Sequence, residues 1–402
     1  MSSAETYDFF APSVVKDPHA FLRRLRTEHP IYWSPQFRGW VLTRYADALA
    51  AGRDERLSSP PGTGWWDGLP AQAKQQLQPA RDSIRLWAGL SSEQDHQDFQ
   101  GALKKYFTPT RLEELRPSVQ RFTDELLDAA QAQGELEVVE GLARPLPARV
   151  IGELLGIPPE DHPLLLRWSS DLLSFFQQVN LEGLHRGQRS LLEMREYLRP
   201  LIAERRRAPR EDLISALVSR NEGFLAREPE AIVANCTLLL FAGHETTSHL
   251  LSSGLHLLLE HPEQLTLLRD KPELMASAIE EMLRYDGASD AMVRVSREPL
   301  ELGGRRFFTG ELFVLVYKAA NHDPQAFPEP ERFDITRRPN RHLALGTGNY
   351  YCLGAALARL QGQICFQTLL ERIPRLRPAP AAPEWRPLPP LGRRLRSLHV
   401  AF

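Results

Sequence analysis

The sequence predicts a mainly α-helical fold carrying small β-sheets. Apolar residues recur at helical spacing over residues 112–132 and again over 142–155. Residues 229 to about 260 make one further helical stretch of roughly 30 residues, about 48 Å long at 1.5 Å per residue. Strand-like pieces are short by comparison, at 31–33 and 40–43, and the Pro-rich tail over 374–390 suits extended edge segments.

In chain order, 21–28 reads as a helix that precedes the two strand-like pieces. Residues 58–92 read as a long irregular loop, with Ser59-Pro60-Pro61-Gly62-Thr63-Gly64 and the Trp65-Trp66 pair. Loops of that length inside a compact domain are usually functional or mobile. Pro229 fits a first helical turn and His261-Pro262 a stop, so the long helix is expected to cross the core. A following helix over 272–285 is expected to close on Gly287. No internal repeat or low-complexity linker divides the chain, so residues 1–402 are expected to form a single domain.

The composition, 42% hydrophobic and 25% charged with a formal net charge of −2, is ordinary for a soluble globular protein. Nothing in it calls for nucleic acid or an anionic membrane. Cys236, Cys352 and Cys365 stand at unrelated spacings, which argues against a disulfide framework or a zinc site and fits a reducing cytoplasm. Residues 1–6 lack the basic start of a signal peptide, and the longest nearly apolar run, 238–243, is far short of the ~20 residues of a membrane span. A cytoplasmic protein is expected.

The most informative segment is Leu345-Gly346-Thr347-Gly348-Asn349-Tyr350-Tyr351-Cys352-Leu353-Gly354, followed by Ala355-Ala356-Leu357-Ala358-Arg359. Two glycines allow a tight loop whose backbone can approach a flat ligand. A thiol just before a helix has its pKa lowered by the helix dipole and is readily held as thiolate. A lone cysteine after a turn is more often structural, but other motifs accompany this one. Ala242-Gly243-His244-Glu245-Thr246-Thr247 sits in the middle of the long helix, where glycine weakens the helix and a Thr hydroxyl can bond back to the preceding turn. That combination can open a groove for a small ligand. Glu281 and Arg284, three apart, share one helix face.

These motifs, in this order, resemble the cytochrome P-450 family from about residue 17 to the end. The loop is similar to that family's haem-binding loop, Phe-Gly-x-Gly-x-His/Arg-x-Cys-x-Gly, with Leu345 in place of Phe and Tyr350 in place of His or Arg. The resemblance implies haem b (iron protoporphyrin IX) as cofactor, Cys352 as iron ligand, and the long helix crossing over the haem. Leu345, Gly346, Gly354 and Ala242 would lie against the haem. Glu245 and Thr246 match the acid–alcohol pair that delivers protons to dioxygen. His96 and Arg294 match two propionate contacts, while Gln100 and Tyr350 replace charged ones. Haem is therefore expected to be held more weakly than is usual, unless Lys104 compensates. In the Glu-x-x-Arg network, Arg332 is the expected third partner.

The resemblance also implies a substrate pocket walled by residues 58–92, the stretch Asp171 to Gln177, the long helix and the stretch before Arg294, lined by Leu238, Phe241 and Ala242, with Trp87, Phe175, Phe176, Asp290, Ala291 and Met292 as further candidates. An inward-pointing Asp290 would anchor a cationic or hydroxylated substrate. The function expected is insertion of one oxygen atom into a small, largely apolar molecule, such as a secondary-metabolite intermediate. Electrons would come from a ferredoxin and its reductase, docked on a basic face containing Lys104, Lys105, Arg337, Arg338, Arg341 and Arg359. An acyl or peptidyl carrier protein is a further candidate partner for this monomer. Rival expectations are oxidative coupling, peroxide-driven oxidation, or a non-catalytic module with an altered haem site that binds a carrier-tethered intermediate.

Overall fold

The computed structural model describes residues 7–60, 64–176, 180–220, 222–388 and 391–402. Residues 1–6, 61–63, Gln177 and 389–390, which the readings above include, lie outside these, as does the side chain of Trp65. The chain forms two compact units. One comprises Met1–Pro60, Ser252–Cys352 and Ala382–Leu398, the other Pro61–Leu251, Leu353–Ala381 and His399–Phe402.

The first unit is built on a five-stranded sheet in the order Ile31–Ser34, Gly39–Leu42, Leu312–Leu315, Met292–Ser296, Leu57–Ser58. Gly39–Leu42 runs parallel to Leu312–Leu315, and the other pairs are antiparallel. Side chains alternate across this sheet. Trp40, Leu42, Phe313 and Leu315 join Phe307 in one core cluster, whereas Val41, Val314 and Val316 join Tyr7, Phe9, Leu22 and Leu25 in another. Both faces are covered, so these strands read as nearly continuous apolar runs. Gly39 is required where it stands, because a Cβ there would lie 2.7 Å from the Leu312 carbonyl oxygen.

The same unit holds the Glu-x-x-Arg pair, on the helix Met275–Asp286. Glu281 is fully buried and takes a bidentate hydrogen bond from Arg284 at 2.8 and 2.9 Å. The third partner of this pair is Arg337, whose Nε lies 3.2 Å from Glu281 Oε1. Arg332 does not fill that place. Its side chain is 59% exposed beside Glu329, and only its backbone carbonyl enters the network, accepting from Arg284 and Arg337. Arg337 is correspondingly unavailable to a docking face.

The second unit is helical. Pro109–Gln133 packs on Ala355–Arg372, and Leu181–Arg207 packs on His162–Leu172 and Ala71–Ile84. The small sheet here pairs His399–Ala401 with Glu135–Glu137 and Arg377–Pro378. The sequence reading missed two of these helices. Ala71–Ile84 lies within the expected loop and buries Ala73, Leu77, Ala80 and Ile84 at helical spacing. Pro79 inside it hid the pattern, and the Ala80 N–H donates to the Gln188 side chain. Leu181–Arg207, 27 residues long, is strongly charged along much of its length.

Pro229–Glu260 is helical throughout its 32 residues. Gly243 does not loosen it. Its missing side chain lets Ile151 of the helix Pro145–Leu155 approach, since a Cβ would stand 3.1 Å from that residue. Gly287 ends its helix in extended backbone (φ −68°) rather than left-handed, and a Cβ there would lie 2.4 Å from the Leu283 carbonyl oxygen. Among the described residues no helix is long and apolar enough to cross a membrane.

Removing one charge from a buried ion network leaves the others uncompensated. Glu281→Gln is expected to lower the folding free energy of the haem-loaded protein by about 3–5 kcal/mol. Arg332→Ala should lower it by less than about 1 kcal/mol. Urea midpoints at constant slope measure both; equal effects would restore Arg332 to the network.

Candidate active site

The cysteine loop belongs to the first unit. The Cys352 amide donates to the Leu345 carbonyl at 2.8 Å and closes the loop. Gly346 (φ +77°) and Gly348 (φ +63°) both adopt left-handed backbone, and a Cβ on Gly346 would lie 2.8 Å from the Tyr350 carbonyl oxygen. Of the three cysteines only Cys352 is exposed. Burial pushes the other thiols up, Cys365 to about 12 and Cys236 further, so neither is a thiolate near neutral pH. Leu345, Gly346 and Gly354 are all partly exposed around this segment.

Arg294 lies on the strand Met292–Ser296 and is 2% exposed. Its guanidinium carbon stands 4.1 Å from the centroid of the Tyr350 ring, and Nη1 donates to the Val293 carbonyl at 2.8 Å. Nε and Nη2 find no acceptor among the described residues, nor does the nearby buried Tyr317 hydroxyl a partner. Burial lowers the Arg294 pKa, with the Tyr317 and Tyr350 hydroxyls opposing. A buried cation left without an anion costs several kcal/mol, so the geometry fits an anionic group presented to Arg294. A haem propionate has that chemistry. Tyr350 supplies no second cation. Its hydroxyl accepts the Ser59 amide at 3.1 Å, and its ring serves as the platform on which Arg294 lies.

Asp290 does not point a ready carboxylate at a substrate. It is held by Lys318 Nζ at 2.9 Å and Arg394 Nη2 at 3.1 Å, and Lys318 also contacts Asp286 at 3.0 Å. Ala291 packs against the cluster of Tyr7 and Phe9, and Met292 against that of Trp40 and Phe313.

In the second unit, residues 231–251 of the long helix are buried except for Leu238, Phe241, Ala242, Gly243, Glu245 and Thr246. Leu238, Ala242 and Glu245–Thr246 recur at turn spacing and make one open face. Thr246 Oγ1 donates to the Ala242 carbonyl at 2.8 Å, the expected back-bond. Below that face His244 is fixed by the Arg144 carbonyl at Nε2 (3.1 Å) and by Ser169 at Nδ1 (2.8 Å). Its Nδ1 also lies 3.4 Å from Glu245 Oε1, a contact invisible in the sequence.

The rings of Trp87, Phe176 and Phe241 stack in the same unit, with centroids 5.0–6.0 Å apart and planes within 26°. Trp87 is anchored by an Nε1–H bond to Thr237 Oγ1 at 3.1 Å. Of the two phenylalanines expected here, Phe176 is the one in the stack. Phe175 is 3% exposed and meets Gly187, whereas Phe176 is 45% exposed within the stack. Neighbours in a short 3-10 turn point apart, and no periodicity distinguishes them in sequence. His96 sits with Nδ1 3.3 Å from the Ala88 carbonyl and Nε2 3.0 Å from Gln100 Nε2. Gln100 thus contacts the histidine, and Lys104 is exposed one turn further on.

Comparison with known proteins points to one family. The family model described as Cytochrome P450 matches residues 167–374. The biotin biosynthesis cytochrome P450 of Bacillus subtilis (strain 168) is 36% identical over 396 residues, 96% of this chain and 97% of that protein. The polyketide biosynthesis cytochrome P450 PksS of the same organism is 33% identical over 384 residues, 92% of each chain. The crystal structure of P450BioI in complex with hexadec-9Z-enoic acid ligated acyl carrier protein superposes with TM-score 0.89. It is 34% identical and covers 98% of this chain and 100% of that one.

If Arg294 binds a haem carboxylate, Arg294→Gln removes a charge-assisted bond worth about 1.5–3 kcal/mol. Haem transfer to excess apomyoglobin should then be roughly 10- to 100-fold faster. Tyr350→Phe keeps the ring beneath Arg294 and should leave the rate within about threefold of the parent, because the lost hydroxyl bond is with the Ser59 amide and not with the guanidinium. An unchanged rate in Arg294→Gln would remove Arg294 from the haem site.

Proposed function

Since the chain belongs to the cytochrome P450 family and is a haem b-dependent monooxygenase, we propose that Cys352 is its iron ligand and Arg294 a propionate contact. On this reading residues 1–402 serve as one haem domain, and the enzyme inserts one oxygen atom into a small, largely apolar biosynthetic intermediate. The observation that carries it is the open helix face bearing Glu245 and Thr246 on a helix otherwise buried over 231–251.

Bound haem supplies oxygen activation and electron uptake, with the thiolate pushing electron density toward iron. The remaining work falls to side chains. Thr246 spends its proton on the Ala242 carbonyl, so its oxygen lone pairs are oriented to accept from a water on the open face. Glu245, beside the buried His244, is placed to pass protons to that water. The Trp87–Phe176–Phe241 stack gives a flat apolar wall that excludes water and orients a ring or chain. A ferredoxin and its reductase are the proposed electron source. Carrier-tethered delivery is a second reading, favoured by the acyl carrier protein bound to P450BioI.

Absorbance titration with free and carrier-tethered fatty acyl, polyketide and aromatic compounds tests this. A ligand that displaces water from ferric haem should yield, with donor and dioxygen, a product heavier by one oxygen atom. A product lacking that atom, or turnover without donor, would favour coupling or peroxide chemistry. Thr246→Ala should cut product formation by about 10²-fold while donor oxidation continues. Equal loss of both would mean that Thr246 is structural.

A further inference from the structure

We propose that His19, His322 and Glu331 of the first unit form a binding site for a divalent transition metal of the zinc type. Each offers one ligand atom, and the three atoms lie within 4.8 Å of one another. His322 Nδ1 and Glu331 Oε2 are 3.3 Å apart. Two ligands on a tetrahedral zinc with bonds of about 2.0–2.1 Å stand about 3.3 Å apart, so this pair already has the required separation. The His19 ring centroid lies 4.6 Å from that of His322.

The independent pointer is His322 itself. It is 2% exposed, and its Nδ1 makes no hydrogen bond among the described residues. Its Nε2 lies 2.9 Å from the Tyr285 carbonyl and donates to it, which leaves the Nδ1 lone pair aimed at the carboxylate. Two acceptors facing each other repel unless a proton or a metal stands between them. A second-sphere bond from ring N–H to a backbone carbonyl is the arrangement that orients metal-binding histidines. Two imidazoles and one carboxylate favour zinc, nickel or copper over magnesium or calcium, and Glu331 on the exposed side leaves room for a water as fourth ligand.

A metal here would tie the helix Pro18–Glu28 to the segment 321–333, a stabilising rather than catalytic role. Haem-loaded protein, stripped with chelator, is titrated with zinc chloride against a chromophoric zinc indicator. One zinc per chain is expected, raising the thermal midpoint of the parent protein. His19→Ala and Glu331→Gln should each weaken binding at least about tenfold and abolish the midpoint shift. Glu331 is 38% exposed, so its variant does not depend on whether His322→Ala folds. Absence of one-equivalent binding, or binding unchanged in both variants, overturns the site. So does a Glu331→Gln variant that loses stability equally with and without zinc, which would identify a proton-bridged pair.

Discussion

Glu281 is a carboxylate with no access to water, and the chain leading to Cys352 is organised around it. Between Ala320 and Gly348 there is neither helix nor strand, so the backbone groups of that stretch have no ladder to join. Buried carbonyls must nonetheless find donors. Arg284 gives its N–H groups to the carbonyls of Asn321, Pro330 and Arg332, and Arg337 to those of Pro328, Glu329 and Arg332. Each guanidinium is a rigid fork that gathers several carbonyls at once, which a lysine could not do. Both forks are anchored to one carboxylate, whose Oε1 also takes the Asp334 amide at 2.9 Å. Such a network contributes little net stability over an apolar core, because desolvation offsets attraction. What it adds is a single permitted path for an irregular segment.

Arg294 shows the opposite arrangement. Lys318 and Asp290 are as deeply placed, yet they satisfy one another together with Asp286 and Arg394. Arg294 has only a ring face and the carbonyl of the residue before it. Short of an anion among the described residues, Arg294 is the cation proposed to meet a ligand carboxylate. Tyr350 follows from the same economy. A histidine or arginine there would place a second cation beside an already desolvated one, whereas a tyrosine ring lowers the cost of burying the first.

Local chemistry was legible in the sequence, and long-range partnership was not. The glycines around Cys352, the Thr246 back-bond and the long helix are decided within a few residues of themselves, and the structure has them as read. Arg337 and Arg332 could not be told apart, because both stand near Glu281 only once an irregular segment has folded. Asp290 had the same difficulty, since its partners Lys318 and Arg394 are 28 and 104 residues away. Phe175 and Phe176 differ only in direction from a short turn. Ala71–Ile84 was obscured because Pro79 suggests a break, which the distant side chain of Gln188 helps to mend.

The acid–alcohol pair shows how far such local legibility extends into chemistry. Thr246 and Glu245 were identifiable by residue type, but the protonic wiring was not. That depends on His244, which points into the helix packing rather than out of it, fixed by a serine 75 residues upstream. Donation from Nε2 to the Arg144 carbonyl leaves Nδ1 as an acceptor, within 3.4 Å of a Glu245 oxygen and 2.8 Å of the Ser169 hydroxyl. Glu245 is only 11% exposed, so the acid stands between this buried histidine and the open face where Thr246 lies. The histidine thus bounds the inner side of the acid, from a position that neither residue type nor spacing could disclose.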